Sequence, residues 1–527
     1  MKPPLSALFR SSGASTTTRR WDVVVIGAGH NGLTAAAYLA RAGKSVLVLE
    51  RRDRIGGAAT LEEMWPGYVI SPCAYLAGLL HDRVIDDLDL RSRGLEIVMG
   101  DPTYFVPFDD GHSLTVWNDD EATYRSIRSF APDQVHGWVE RNALFDRIRD
   151  AIRPIGDHDM WLDPEPTRAE IGRRLAGDEV ALATVFDDSQ VDNLRRFYTD
   201  DRMIAAYCGQ GVIGTNASPF EPGTAFVDFH HASGRQEGID GEWGFVMGGM
   251  GAVSAAMAEA AEESGALIAT DSEVKRIVPG FGVELVNGDT IEAGVVVANA
   301  DPVRTAALIG DPGFSARVSR IPIESATVKV TYALSSLPDF GVAHATNAQV
   351  EIVRTAEAMH ESHLTARAGG ISDEIWCELY FQTPYDASIA PPGKHVLSAF
   401  CQYVPYAWAD GRSWDEHRSQ VGDVVTRSIE RYAPGFGGLV EHIHVQGPPD
   451  IEEAIGLSGG HIFQGEILPQ YMWEDRLPYR TGVDGVYLCG VATNPGGSVI
   501  GVNGKNAAAV VLADMAESPW SPAMGSG

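Results

Sequence analysis

A glycine turn held between an apolar run and a small-residue helix constrains this chain more than any other feature. Asp22-Val-Val-Val-Ile26 is the kind of short run that fills buried parallel strands. Gly27-Ala28-Gly29-His30-Asn31-Gly32 follows at once. Residues 32–42 then carry Leu33, Ala36, Ala37, Leu39 and Ala40 at helical spacing, with Gly43 where a left-handed stop is favoured. A second apolar run over 45–50 completes a strand–helix–strand unit. Parallel strands joined by a right-handed crossover open a doubly wound sheet.

That turn has the spacing GxGxxG, directly after a strand and directly before a helix. The glycines allow a tight bend, a close approach of backbone to a pyrophosphate, and contact between helix and strand, while the helix amino end stabilises negative charge. Glu50 lies eighteen residues past Gly32, at the end of the second strand, where a carboxylate accepts hydrogen bonds from ribose hydroxyls. Gly27, Gly29, His30, Asn31, Gly32 and Glu50 are therefore expected to hold a dinucleotide. Of these, His30 is expected to face solvent or a neighbour rather than to take part in catalysis.

Two more glycine clusters follow in order. Arg51-Arg52-Asp53-Arg54-Ile55-Gly56-Gly57-Ala58 puts a glycine pair just past the ribose acid. Much later, residues 485–490 end at Gly490, Asn494-Pro495-Gly496-Gly497 follows, and Gly501-Val502-Asn503-Gly504 opens a helix over 505–516. Glycines there let backbone lie against a flat ring, and the helix amino end favours the negative charge of a reduced flavin. The three clusters resemble those of the flavoproteins with a glutathione-reductase-like FAD domain. The resemblance implies FAD rather than NAD, with Arg51, Gly56, Gly57 and Ala58 as the second signature and Gly490, Gly497, Gly501, Val502 and Asn503 at the flavin end. Gly248-Gly249-Met250-Gly251 could open a separate NAD domain. The resemblance reads it instead as a later crossover of the FAD domain, with Val274 beside the adenine.

Between these clusters the texture changes. Runs over 104–108 and 113–117 flank Asp109-Asp110-Gly111, a hairpin signal. Residues 119–207 have helical patterning, with Val139, Leu144, Ile148 and Ile152 on one face. Apolar and polar positions mix over 326–334, 375–382 and 395–403, as in an antiparallel sheet with one covered face. The expected class is α/β: a Rossmann-type FAD domain over 21–100, 240–310 and 480–520, with a discontinuous α+β substrate domain over 101–239 and 311–479. Residues 1–20 carry Lys2, Arg10, Arg19 and Arg20 and no acid, and are expected to form a disordered tail. A cytoplasmic protein follows, or a mitochondrial one if that tail is a transit peptide.

With 71 acidic against 41 basic residues the net charge is −30, which repels nucleic acid and leaves at most transient membrane contact. Cys73, Cys208, Cys377, Cys401 and Cys489 include no CxxC pair, so neither a metal site nor a disulfide framework is expected.

Across nearly the whole chain, including Asn299-Ala300-Asp301-Pro302 and residues 459–466, the sequence resembles the phytoene-desaturase-like dehydrogenases. The resemblance implies an oxidoreductase that takes a hydride from an apolar or amphipathic substrate. Oxygen, a quinone or a protein carrier would receive the electrons, and the protein could form a homo-oligomer. One departure is that the substrate region is rich in Asp and Arg, which argues against a polyene. His230 and His231, after a strand-like run over 225–229, and His461 are the candidate proton acceptors. Tyr471 and Trp473 are candidates to line the substrate cavity. The alternatives are a flavin amine oxidase and a non-catalytic, FAD-stabilised interaction protein.

Overall fold

The computed structural model describes residues 5–10 and 20–517. Its first sheet is built on Trp21–Ile26, which pairs in parallel with Val46–Leu49 on one side and Thr290–Ala298 on the other. Leu267–Ala269 extends the sheet beyond Val46–Leu49, and Val486–Leu488 pairs with the end of Thr290–Ala298, both in parallel. Val274–Val278 and Gly282–Leu285 join as an antiparallel meander. The inner strands are buried on both faces, as their unbroken Val, Ile and Leu runs require.

Helix His30–Arg41 packs between helices Gly251–Glu263 and Val502–Glu517. Small residues allow the approach: a Cβ on Gly504 would stand 2.2 Å from the Asn31 carbonyl oxygen. Helix Gly251–Glu263 leads into a strand of this same sheet, whereas Gly244–Val246 before it pairs with Ile97–Met99, outside that sheet. The Gly248 cluster thus opens a crossover and not a second nucleotide domain.

The second sheet has seven strands, in the order Val440–Gln446, Thr327–Leu334, His395–Gln402, Trp376–Phe381, Gln349–Ile352, Tyr104–Pro107 and Ser113–Val116. All neighbours are antiparallel except Gln349–Ile352 with Tyr104–Pro107. Helix Trp414–Glu430 covers one face through Val421, Val424, Val425 and Ile429.

Four expectations are corrected. Thr327–Leu334 is buried along its whole length, so its polar face looks into the protein and not into water. Residues 225–229 lie in a helix, Thr224–Ala232, because an apolar run of that length is compatible with either structure and neighbours decide. Val139 is 40% exposed, while Leu144, Ile148 and Ile152 repeat every four residues along the buried side of Val135–Ile152. Residues 5–10 are not a free tail: Leu8 is fully buried, its carbonyl accepts from Ile55 N at 2.9 Å, and Arg10 pairs with Glu262. Residues 1–4 and 11–19 of the expected tail lie outside the described residues.

Candidate active site

A continuous cavity of about 430 Å³ runs between the two sheets. At one end it meets the turn after Trp21–Ile26. Gly27 has φ +96°, which glycine adopts without strain, and a Cβ on Gly32 would stand 2.2 Å from the Gly27 carbonyl oxygen. Gly29 caps helix His30–Arg41 without a side-chain hydrogen bond, leaving the amino end open. Gly57 approaches so closely that a Cβ there would lie 3.3 Å from the Gly29 Cα. Gly56 forms a bridge with Gly29, and its N–H donates to the Ala28 carbonyl at 2.8 Å. Glu50 is buried, accepts from Ala28 N at 2.8 Å and Arg52 N at 3.0 Å, and has its carboxyl pushed up by burial. Arg51, Ala58 and Val274 line the same cavity.

The residues present fit FAD. His30 Nε2 and the Asn31 amide nitrogen are buried without partners, where an anionic ligand would accept from them, and the Asn31 amide oxygen is left open to a donor. His30 lines the cavity instead of facing solvent, and the Ser498 backbone acts on its ring, so the first and third glycine clusters do converge.

At the flavin end, Val491, Ser498 and Val499 line the cavity, whereas Gly490, Gly497, Gly501, Val502 and Asn503 stand behind them. A Cβ on Gly497 would lie 2.0 Å from the Phe463 ring, and one on Gly490 2.7 Å from Gln464 Oε1. Gly501 packs on Val84, Val502 is buried in the core, and the Asn503 amide donates to the carbonyls of Thr493, Asn494 and Gly496. These residues shape the loop rather than line the ligand space.

Of the three histidines only His231 lines the cavity. Its Nδ1 lies 2.8 Å from the Val227 carbonyl, which can only accept, and burial holds its pKa down to about 4. His230 gives Nε2 to the Gly497 carbonyl at 3.1 Å and supports the glycine loop. His461 is fully buried; its Nδ1 accepts from Phe463 N, so Nε2 faces Glu466 as donor at 3.4 Å. Tyr471 and Trp473 also stay outside the cavity, Trp473 packing edge-on against Phe186 and Phe226.

Sequence reading missed the polar row of the second sheet. Lys329, Phe400, Glu378 and Glu351 are successive neighbours across four strands, and the first three line the cavity. Lys329 is 3% exposed, donates to the Cys73 carbonyl at 2.7 Å, lies 4.3 Å from the Tyr75 ring centre, and is pulled down to about 7 by burial. Residues 71–75 pack against the second glycine cluster through Ala74 N on the Ala58 carbonyl, so Lys329 sits on the cofactor side. A lone lysine between Val328 and Val330 in a β-like run was the available signal.

Glu378 and Glu351 are both buried and share the Gln210 amide nitrogen, at 2.9 and 2.8 Å. Among the described residues neither carboxyl has a Lys, Arg or His ion-pair partner. The Tyr104 hydroxyl lies 2.5 Å from the Ala206 carbonyl and 2.7 Å from Glu351 Oε2. Its one hydrogen is shared between these two acceptors. Burial first, then the neighbouring Glu378, raises the Glu351 carboxyl well above the carboxylate range. Burial also raises Glu378, the member of the pair that faces the cavity.

The family model for flavin containing amine oxidoreductases matches residues 32–512. Pyridine nucleotide-disulfide oxidoreductase domain-containing protein 2 of Mus musculus is 34% identical, over 96% of this chain and 95% of its own. A lycopene-forming phytoene desaturase of Pseudescherichia vulneris is 24% identical, over 93% of this chain and 99% of its own. Among solved structures, cyclohexylamine oxidase from Brevibacterium oxydans shares the fold, with a TM-score of 0.60 at 19% identity, covering 95% of this chain and 100% of that one. With a cradle that fits FAD and a family match over most of its length, the chain belongs to the flavin-containing amine oxidoreductases and is an FAD-dependent oxidoreductase.

Proposed function

We propose that the chain removes a hydride from a C–H bond of an amphipathic organic molecule and a proton from the adjacent carbon, oxygen or nitrogen, leaving a C=C, C=O or C=N bond. The observation that carries this reading is the continuity of the cavity, from the dinucleotide turn to a chamber walled by Tyr75, Ile213, Tyr380, Phe400, Ile462 and Phe463. FAD, when bound, supplies the two-electron acceptor. The chain's own part is to seat an apolar body against those rings, to exclude water and to hold protons at defined atoms. Lys329, with a pKa of about 7, can hold or release a proton at neutral pH. His231, near 4, is neutral there and acts as a hydrogen-bonding wall.

A purely hydrocarbon ligand would leave Lys329 and Glu378 facing an apolar surface, which is costly. This favours an amphipathic substrate over a polyene. Oxygen, a quinone or a protein carrier takes the electrons onward. The test is anaerobic bleaching of the flavin band by a panel of long-chain alcohols, alkenes and amines. Bleaching by an alcohol or alkene supports the dehydrogenase reading, and a flavin that dithionite reduces but no member of the panel bleaches contradicts it. The second reading, an amine oxidase, is favoured by the Glu378 carboxyl on the chamber wall; it predicts bleaching by amines alone and peroxide release in air.

A further inference from the structure

His30 heads a helix of 12 residues and is 9% exposed. Its Nε2 has no hydrogen-bond partner, and the amide of the adjacent Asn31, 1% exposed, has none at either atom. Unmatched polar atoms in a packed interior are rare, and of these three the His30 Nε2 and the Asn31 amide nitrogen, at an open helix amino end, can donate to an anionic ligand. Gly29 and Gly57, whose backbones nearly touch, leave room for backbone contact and for little else on that side. The His30 ring thus stands where the phosphate turn, the second glycine pair and the Ser498 loop meet.

We propose that the diphosphate of FAD docks on the His30 ring and that His30 takes up a proton as it does so, so that FAD binds more tightly as pH falls. This rests on the assignment of FAD and goes beyond it. Without ligand, burial holds His30 down to about 4, opposed only by the Ser498 backbone, and no charged side chain acts on it. A diphosphate against the ring adds the counter-charge that the apoprotein lacks, and this favours the imidazolium. The other ionisable groups facing the cavity are Glu50, Arg51, Arg52 and Glu273 at the strand end, Asp301 and Arg304 beside them, and Cys73, Tyr75, His231, Lys329, Glu378 and Tyr380 on the chamber side. A variant is therefore needed to assign the proton.

The experiment is calorimetric titration of the FAD-stripped full-length protein with FAD at pH 6 and pH 8, in two buffers of different ionisation enthalpy. The expected result is proton uptake on binding at pH 6 that fades by pH 8, with affinity falling by up to about tenfold per pH unit wherever one full proton is taken up. His30→Gln, which keeps a neutral donor, is expected to bind FAD with an affinity that no longer depends on pH through this group and without that uptake. Absence of uptake by the wild-type protein at pH 6 overturns the proposal without recourse to any variant. Equal uptake by His30→Gln overturns it as well, by assigning the proton elsewhere. Failure of FAD to bind at either pH would overturn both this proposal and the cofactor assignment.

Discussion

Lys329 and Glu351 show how a buried polar residue reports its role through its protons. The amine of Lys329 is depressed in the folded chain, so between about 7 and the ordinary lysine range the unfolded chain binds more protons. Stability contributed through this group therefore rises with pH across that window, and the buried charge is a burden below it. Lys329→Met is expected to stabilise the protein at pH 6 by roughly 1–3 kcal/mol, with the gain vanishing near pH 10, while turnover falls. Paired urea melts at the two pH values check this; a gain that is the same at both would contradict it. Glu351, pushed well above the carboxylate range by burial and by Glu378, should give a carboxylic-acid C=O infrared band that persists at pH 8 and disappears in Glu351→Gln. His30 and Glu50 were legible in the sequence because a motif fixes their place relative to a strand and a helix. Lys329 and Glu378 were not, because nothing in an alternating run says whether its polar face meets water or a cavity.

The elements were most legible where one physical demand ruled. Trp21–Ile26 and His30–Arg41 follow from unbroken apolar residues and from a glycine turn. Thr224–Ala232 was misread because Phe226, Val227 and Phe229 suit a strand as well as a buried helix, and packing against Phe145 and Trp473 decided the matter. Helix Val502–Glu517 is held to His30–Arg41 by the absence of a side chain at Gly504. Gly504→Ala should force the two helices apart, costing about 1–3 kcal/mol and weakening FAD binding, as a melt and a flavin titration would show. The 3-10 turn Leu5–Leu8 looked dispensable from composition alone, yet Leu8 fills the core beside Leu61 and Gly251. Leu8→Ala is expected to cost about 2–4 kcal/mol in a denaturant melt, against almost nothing if that segment were a loose tail.

At the scale of the molecule, two sheets assembled from alternating stretches of chain enclose one cavity, and that enclosure joins a nucleotide cradle to a substrate chamber. The order of the glycine clusters made the first sheet readable. Pairings such as Lys329 with Phe400 and Phe400 with Glu378 are long-range, and no local pattern encodes them. Three glycine turns, spread along the sequence, meet around that cavity and are expected to grip one extended flavin nucleotide. The most direct measurement is the visible spectrum and flavin content of the purified chain after reconstitution with FAD and removal of the excess. A yellow protein with one FAD per chain is expected; a colourless chain that retains no flavin would contradict that grip.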